Sequence, residues 1–258
     1  MSSTFQQLKD LHHAQDLFVL PNVWNAKSAL LLQQKKFPAI ATSSAAVANS
    51  LGYEDGEEMC FTEYLFMIKR IISSVQIPLS VDMETGYGKS NEEILSNLFQ
   101  LIELGVAGIN IEDSTIANTN RTLQDAKTFA QKIEDIKNKL AQKNVQLFIN
   151  VRCDTFILNL SDKLEESIRR AKMYEAAGAD GIFFPCISNE ADIAEIINHT
   201  KLPLNVMCIP GLPGFETLNK LGVKRVSMGP FLFNKIYNGI HELSTAITSD
   251  QNFSSVLS

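Results

Sequence analysis

Short apolar runs rich in β-branched residues alternate with longer amphipathic stretches from one end of the chain to the other. Such a run is typical of a buried strand, and an amphipathic stretch is typical of a helix that covers one face of a sheet. We predict eight strands, at residues 17–21, 39–43, 79–84, 108–113, 146–154, 181–185, 204–208 and 225–229. Because most of these strands are apolar throughout, they favour a parallel sheet that is buried on both faces.

The clearest helical pattern lies between the second and third predicted strands. There, apolar residues recur at the three- and four-residue spacing of one helix face, at Phe61, Tyr64, Leu65, Ile68, Ile71, Ile72 and Val75. A second such pattern follows the third strand, at Ile94, Leu95, Leu98, Leu101 and Ile102. It starts with Ser90-Asn91-Glu92-Glu93, which predicts a capping box, since the Ser90 hydroxyl and the Glu93 carboxylate can both accept from free backbone N–H groups.

A repeated unit supports one fold for the whole chain. The segments LGVAGINI (104–111), AGADGIFF (177–184) and LGVKRVSM (221–228) each place Gly after a helix and a strand directly behind it. Eight such units in 258 residues favour a closed (β/α)8 TIM barrel over an open sheet. We predict an α/β fold in which residues 1–258 form a single barrel domain, with residues 1–16 as a leading helix and about residues 247–258 as a C-terminal helical tail.

Composition and charge restrict the class of protein. Apolar residues make up 45% of the chain, and 23 Lys and Arg against 29 Asp and Glu give a net charge of −6 without basic clusters, which argues against nucleic acid as a partner. The four cysteines form no CxxC pair, the N-terminus lacks a secretory pattern, and no apolar run is long enough for a membrane span. We therefore expect a cytoplasmic protein with reduced thiols and no membrane partner.

Polar residues collect where the predicted strands end. In a (β/α)8 barrel, the active site lies at the carboxyl ends of the strands. The polar residues at the ends of the second to fifth predicted strands are Thr42, Ser43, Ser44, Asp82, Glu84, Glu112, Asp113, Arg152 and Asp154. We therefore expect the active site to lie among these side chains.

Three of the strand-end carboxylates suggest a metal ion. Asp82 and Glu84 point to the same side of their strand because side chains alternate, and Glu112 ends the neighbouring strand. Three carboxylates in a poorly solvated cup repel one another unless a cation or a proton is shared, and Arg152 is the only strand-end cation nearby. A set of oxygen ligands favours Mg²⁺ as the cofactor, with Mn²⁺ as the alternative.

Structural interpretations of the same residues remain open. Each carboxylate could cap a helix or form an ion pair. Asp113 and Asp154 fit the cap role better, because their side chains point to the opposite side of the strand from those of the metal candidates. Arg152 could be an ion-pair partner or could bind a substrate carboxylate or phosphonate. Ser43 and Ser44 could hold an anion or form a simple turn.

Several familiar active-site patterns are excluded. GYGKS (86–90) is not a phosphate loop, because Met83 stands where the first Gly is required. No histidine lies at a strand end, which argues against a Ser-His-Asp triad and a His metal site, and no lysine ends a strand, which argues against Schiff-base chemistry.

Four motifs in register resemble the isocitrate lyase and phosphoenolpyruvate mutase superfamily. They are ATSSAAVANSLGYEDGE (41–57), VDMETGYG (81–88), NIED (110–113) and VRCDTF (151–156), and the resemblance runs from about residue 4 to 245. It implies a Mg²⁺-dependent enzyme that cleaves or forms a C–C or P–C bond next to a 2-oxo acid through a metal-held enolate. It also implies a homodimer or homotetramer that packs C-terminal helices between subunits.

The resemblance also implies roles for individual residues. The metal residues would be Asp82, Glu84 and Glu112, although the family commonly has Asp in place of Glu84. The carboxylate-binding loop would be Ser43, Ser44 and Ala45. The catalytic candidates are Arg152, Asp55 and Asn120, of which Arg152 also binds substrate, and Asn205 is a further substrate-binding candidate.

Departures from the family pattern bear on the reaction. The loop STIANTNRTLQD (114–125) has no Cys, Lys or His, which argues against an isocitrate or methylisocitrate lyase. Ala41 and Thr42 replace a Trp-containing stretch of the mutases, and Asn118-Thr119-Asn120 lacks their gate lysine. We therefore favour a lyase or decarboxylase of a small 2-oxo dicarboxylate such as oxaloacetate. The alternatives are a phosphonomutase or phosphonopyruvate hydrolase, and a non-catalytic protein that binds 2-oxo acids.

Overall fold

The computed structural model describes residues 3–117 and 120–257. Within these residues, nine strands form one parallel sheet, and each of the eight predicted strand regions contributes to it. The strands are β1 Phe18–Leu20, β2 Asn22–Val23, β3 Ile40–Thr42, β4 Leu79–Asp82, β5 Gly108–Glu112, β8 Phe148–Arg152, β9 Gly181–Phe183, β10 Leu204–Met207 and β11 Arg225–Ser227.

Pro21 divides the first predicted strand into β1 and β2. A proline has no N–H group for a sheet hydrogen bond, so the strand is interrupted there. On one side β1 pairs with β11, and on the other β2 pairs with β3, while the Pro21 carbonyl accepts from Ala41 N at 3.0 Å. The sheet therefore closes on itself, and the predicted (β/α)8 TIM barrel is confirmed.

Helices surround the sheet and follow the predicted periodicity. They are α1 Thr4–His13, α2 Ala26–Gln34, α3 Ser44–Ser50, α4 Phe61–Ile72, α5 Asn91–Glu103, α6 Ala126–Gln142, α7 Lys163–Ala176, α8 Glu190–His199, α9 Phe215–Leu221, α10 Phe231–Asp250 and α11 Ser254–Leu257. Ser90 caps α5 by accepting from Glu93 N at 3.2 Å, but the Glu93 carboxylate accepts from Lys89 N at 2.6 Å. The second hydrogen bond of the capping box therefore comes from the backbone N–H of Lys89 and not from that of Ser90.

The leading helix α1 closes the amino-terminal end of the barrel. His12 is fully buried, and its ring stacks on Phe148 with ring centroids 4.2 Å apart. Gly108 faces the same helix, where a Cβ atom would lie 2.8 Å from Leu8 Cδ2 and 2.9 Å from Phe148 Cβ. A side chain at position 108 would therefore push α1 away from the sheet.

A short antiparallel hairpin follows β5 and was not predicted. Its strands are β6 Ser114–Ala117 and β7 Asn120–Leu123, and it occupies the segment expected to be a gate loop. Asn118 and Thr119 lie outside the described residues. The hairpin carries its side chains next to the carboxyl end of β5, where the strand-end carboxylates lie.

The C-terminal helix α10 is largely outside the core. Only Phe233 is buried among its twenty residues, all of which the structure describes. An apolar stripe on the helix is exposed, at Ile236, Tyr237, Ile240 and Leu243. None of the helices within residues 3–117 and 120–257 is long and apolar enough to cross a membrane.

Candidate active site

A cavity of about 160 Å³ opens at the carboxyl ends of the strands. Six residues predicted from the sequence border it, namely Ser43, Ser44, Ala45, Asp55, Asp82 and Arg152. The other lining residues are Asn22, Asn110, Ile157, Phe183, Pro185, Met207, Ser227, Gly229 and Pro230. The fold therefore brings the predicted substrate loop, one metal candidate and the predicted arginine to one site.

Ser43 and Ser44 have different roles where β3 meets α3. Ser43 caps α3, since its Oγ accepts from Ala46 N at 3.3 Å. Ser44 Oγ lies 3.0 Å from Asp82 Oδ2 and 3.3 Å from Asp55 Oδ1. The Ser44 hydroxyl therefore lies between two carboxylates that line the cavity.

Asp82 ends β4 beside this hydroxyl. Burial raises the pKa of Asp82 above its ordinary value, and the nearby Arg152 opposes that rise. Asp55 raises the same pKa further, because two negative charges in one cup disfavour each other. Asp82 therefore ionises more easily once a further cation is near it.

Glu84 lies just beyond β4 in a left-handed backbone conformation, with φ of 47°. Its side chain is buried, and its Oε1 accepts from the Tyr87 hydroxyl at 2.7 Å. Burial raises the pKa of Glu84 to about 9, and Asp55 contributes to the same shift. Without a cation, Glu84 is therefore protonated at neutral pH.

Glu112 ends β5 and, with Glu84, faces a second cavity of about 120 Å³ between the barrel and the hairpin. Burial raises the pKa of Glu112 to about 7, although the ion pair with Arg152 opposes this. Asp82 lines the first cavity and not the second. Among the described residues, no three Asp, Glu, His or Cys side chains are arranged to hold a metal ion.

Arg152 ends β8 and contacts two carboxylates, those of Asp154 and Glu112. Its Nε donates to Asp154 Oδ1 at 2.7 Å, and its Nη1 lies 2.9 Å from Glu112 Oε2. Burial disfavours its charge, but Glu112 and Asp154 raise the pKa of Arg152 above its ordinary value. Arg152 is thus an ion-pair partner and also lines the cavity, while its binding of a substrate anion stays a prediction.

Arg121 is a second guanidinium at the site and was not predicted from the sequence. Its Nη1 donates to Asp154 Oδ2 at 2.7 Å, to Ser114 Oγ at 2.6 Å and to Glu112 Oε1. It lies on the hairpin strand β7 and not at the end of a barrel strand, where the active site of a (β/α)8 barrel is expected. The sequence signal that could have indicated Arg121 is its position in the loop that follows Glu112.

The assignment of Asp113 and Asp154 to helix caps is wrong. Asp113 Oδ2 accepts from Arg170 Nη1 at 2.9 Å and from the Tyr174 hydroxyl at 2.7 Å. Asp154 lies between Arg121 and Arg152, which lower its pKa although burial opposes them. Both carboxylates form buried ion pairs with arginines. The site and its surroundings therefore contain guanidinium groups in addition to that of Arg152.

Asn120 and Asn205 lie away from the cavity lining. Asn120 is exposed at the start of β7. Asn205 is fully buried on β10, and its Nδ2 donates to Asn150 Oδ1 inside the barrel. Their catalytic and substrate-binding roles stay predictions.

The chemistry of the donor set fits a hard divalent cation. Glu112 Oε2 is buried and, despite the nearby Arg152 Nη1, forms no hydrogen bond of good geometry. Asp55, Asp82 and Glu112 each contribute to the raised pKa of Glu84, so the four carboxylates lie close enough to interact. Carboxylate oxygens of this kind are the ligands that Mg²⁺ and Mn²⁺ prefer.

Comparisons with known proteins agree on the family. The profile of the phosphoenolpyruvate phosphomutase family matches residues 8–248. An uncharacterised protein of Mycobacterium tuberculosis is 35% identical over 243 residues, which are 94% of this chain and 89% of that protein. Oxaloacetate decarboxylase 1 of Pseudomonas fluorescens is 30% identical over 189 residues, which are 72% of this chain and 64% of that protein.

A solved structure shares the fold along nearly the whole chain. It is a Burkholderia cenocepacia protein, provisionally named a phosphonomutase, with a TM-score of 0.88 and 31% sequence identity. The match covers 95% of this chain and 100% of that one.

Proposed function

Because the chain belongs to the phosphoenolpyruvate phosphomutase family, within the superfamily that includes isocitrate lyase, we propose that it is a Mg²⁺-dependent lyase of a small 2-oxo acid. The bond broken is a carbon–carbon bond next to the 2-oxo group, as in the decarboxylation of oxaloacetate. The similarity to oxaloacetate decarboxylase 1 supports this reaction type. Mn²⁺ is the alternative cofactor.

The observation that carries the proposal is the pairing of Asp82 and Arg152 across one small cavity. Both side chains line the same space of about 160 Å³, with the Ser44 hydroxyl bonded to Asp82. A carboxylate cluster suits a divalent cation, and a guanidinium suits an anionic substrate group. A site that binds a small 2-oxo dicarboxylate needs both a divalent cation and a guanidinium.

Asp82, Glu84 and Glu112 would hold the cation, with Asp55 close to it. A bound Mg²⁺ would supply Lewis-acid polarisation of the substrate carbonyl. Glu84 and Glu112 must then lose the protons that burial favours, since a carboxylate binds a metal in its ionised form.

Arg152 would bind and orient the substrate carboxylate through its planar fork of N–H groups. Ser44 would keep Asp82 in place through the bond of 3.0 Å. The apolar side chains of Ile157, Phe183 and Met207 line the same cavity and would exclude water from the reacting carbon. A dry site strengthens the attraction between Arg152 and the substrate anion.

The test is turnover of oxaloacetate by the purified protein with Mg²⁺, followed as pyruvate formed. We expect a rate above that of Mg²⁺ alone, and we expect Asp82→Asn to reduce it to that background. Asp10→Asn, an exposed exchange on α1 at the opposite end of the barrel, serves as the matched control. A rate no higher than the metal background would exclude oxaloacetate, and a panel of 2-oxo and 2-hydroxy acids would then be needed.

Phosphorus–carbon chemistry is the second candidate, favoured by the family profile and by the likeness to the Burkholderia cenocepacia protein. It predicts either a phosphonomutase or a phosphonopyruvate hydrolase. Phosphorus NMR on phosphonopyruvate with Mg²⁺ distinguishes them, since the first yields phosphoenolpyruvate and the second yields phosphate. Tight binding of oxalate without turnover of any substrate would instead favour a non-catalytic 2-oxo acid binding protein.

We also propose that the protein is a homodimer or homotetramer that assembles through α10. This helix exposes Ile236, Tyr237, Ile240 and Leu243 on one side, and its only buried residue is Phe233. Contiguous exposed apolar surface is typical of a subunit interface. A cytoplasmic location is part of the same proposal, supported by four cysteines that are all free.

A further inference from the structure

Asn110 forms part of the floor of the cavity, and Arg225 supports it from inside the barrel. Asn110, on β5, lines the cavity, and Arg225, on β11, is buried directly behind it. Arg225 Nη2 donates to Asn110 Oδ1 at 2.9 Å. Asn150 Nδ2 donates to the same oxygen at 2.8 Å. Neither Asn110 nor Arg225 was singled out from the sequence.

These two bonds fix the orientation of the Asn110 amide. A guanidinium can only donate hydrogen bonds, so the Asn110 atom next to Arg225 must be the oxygen. The amide nitrogen Nδ2 is then the atom left for the cavity, and its N–H groups have no hydrogen-bond partner within residues 3–117 and 120–257. The floor of the cavity therefore presents a fixed donor.

The support behind Asn110 is closely packed. Asn150 accepts from Asn205 Nδ2 while it donates to Asn110, so three amides form one chain. Gly181 makes room for this chain, because a Cβ atom at that position would lie 2.6 Å from Asn150 Oδ1. The close fit leaves the Asn110 amide little freedom to turn.

Arg225 is an unusual residue to bury at this place. Only 1% of it is exposed, it has no carboxylate ion-pair partner within the described chain, and its Nε forms no hydrogen bond. Burial lowers the pKa of Arg225 to about 9, and the charge of Asp82 opposes that fall. A buried cation without a paired anion destabilises a fold, which indicates that Arg225 serves the site.

We propose that Asn110 is a substrate-binding residue whose Nδ2 donates to a carboxylate or enolate oxygen of a bound 2-oxo acid, and that Arg225 positions this amide. The proposal rests on the proposed function, since the ligand class is the same. A donor fixed in advance at an oxygen that gains negative charge stabilises the transition state more than the substrate. Arg225 adds positive potential beneath that oxygen without touching it.

The first test measures the dissociation constant of oxalate by calorimetry in excess Mg²⁺. Oxalate is a small planar dianion with two carboxylates, so it probes the same donors. We expect Asn110→Asp and the uncharged Asn110→Leu each to raise the dissociation constant by about 10- to 100-fold, the effect of one hydrogen bond to a charged group. Asn189→Asp, the same exchange at the cap of α8, should leave it within about two-fold, which is below the loss expected for such a bond.

The second test separates positioning from a structural role of Arg225. Arg225→Met removes an unpaired buried charge, so its melting temperature should equal or exceed that of the unmodified protein, while oxalate binds at least about ten-fold more weakly. Arg225→Lys keeps a cation that can donate to Asn110 and should restore most of the affinity. Unchanged oxalate affinity in Arg225→Met, or in both Asn110 variants, would overturn the proposal.

The result also distinguishes this proposal from the proposed function. If the unmodified protein binds oxalate but converts no 2-oxo acid, the lyase function fails, and the dissociation constants still decide the role of Asn110. If the unmodified protein binds no oxalate, the assignment of Asn110 is itself overturned. The Arg225→Met variant keeps the test available should the Asn110 variants fail to fold.

Discussion

Arg121 Nη1 lies 2.7 Å from Asp154 Oδ2, so the hairpin β6–β7 is joined to the end of strand β8. Arg152 Nε holds the other oxygen of the same carboxylate at 2.7 Å. Asp154 therefore lies between two guanidinium groups, one from the barrel and one from the hairpin. Glu112 contacts the same two arginines, so two carboxylates and two arginines form one linked set.

Removal of Arg121 should weaken the binding of anionic substrates. Without it, Arg152 alone pairs with Glu112 and Asp154, and less of the Arg152 positive potential reaches the cavity. We expect Arg121→Leu to raise KM for the substrate and the oxalate dissociation constant about ten-fold, an effect of the size seen when one charged hydrogen-bond partner is lost. Steady-state kinetics and calorimetry measure both quantities.

The control for that experiment is Arg169→Leu on α7. Arg169 forms an exposed pair with Glu166 and lies outside the cavity, so both constants should stay unchanged. KM and the oxalate dissociation constant of Arg121→Lys should lie between those of Arg121→Leu and the unmodified protein, since lysine keeps the charge but not the fork of donors. Equal affinity in Arg121→Leu and the unmodified protein would contradict the charge argument.

Loss of Asp82 should abolish the Mg²⁺-dependent part of ligand binding. Asp82 is the metal candidate that lines the first cavity, and Ser44 and Arg152 orient and stabilise it there. We expect Asp82→Ala to bind oxalate equally weakly with and without Mg²⁺, as measured by calorimetry. Asp10→Ala at the far end of the barrel should retain the full Mg²⁺ effect, and the metal site is misplaced if Asp82→Ala retains it too.

Burial of Glu84 should make the metal-free protein less stable as pH rises. Its pKa is about 9 in the folded chain, against an ordinary value of 4.5, so the folded state binds the proton more tightly than the unfolded state. This stabilising contribution is complete below the ordinary pKa and is lost as pH rises through 9. Between these values the free energy of unfolding should fall by up to about 1.4 kcal/mol per pH unit from this group.

Urea unfolding at about pH 6 and about pH 8.5 measures this slope. Glu84→Gln has no proton to lose and should show a smaller fall in stability between the two conditions. Mg²⁺ should favour the ionised carboxylate and bind more tightly at the higher pH, with release of protons. Identical slopes for the unmodified protein and Glu84→Gln would show that Glu84 is ionised throughout.

Disruption of the apolar stripe on α10 should separate the subunits. Leu243→Glu places a charge on a surface that the assembly would bury, whereas Leu31→Glu makes the same exchange at an exposed leucine on α2. We expect Leu243→Glu to be monomeric and Leu31→Glu to keep the size of the unmodified protein. Light scattering after size-exclusion chromatography measures the mass. A monomeric unmodified protein would exclude the proposed assembly.

The barrel and much of the site could be predicted because their signals are local. A buried strand is apolar over its own length, as in β5 and β8, and a capping serine such as Ser90 lies within three residues of the N–H group that it binds. The carboxyl ends of parallel strands meet at one edge. For that reason Ser44, Asp82 and Arg152 were correctly brought to the same cavity.

The sequence by itself determined where the strands of the barrel lie and which polar side chains stand at their ends. Only the tertiary structure decided how these side chains are paired. Asp113 and Asp154 each bind an arginine from a distant element, and Arg170 is 57 residues from its partner Asp113. Burial makes such pairing obligatory, but the choice of partner depends on which chains meet in space. Arg225 lies 115 residues from Asn110, and no local pattern could have joined them.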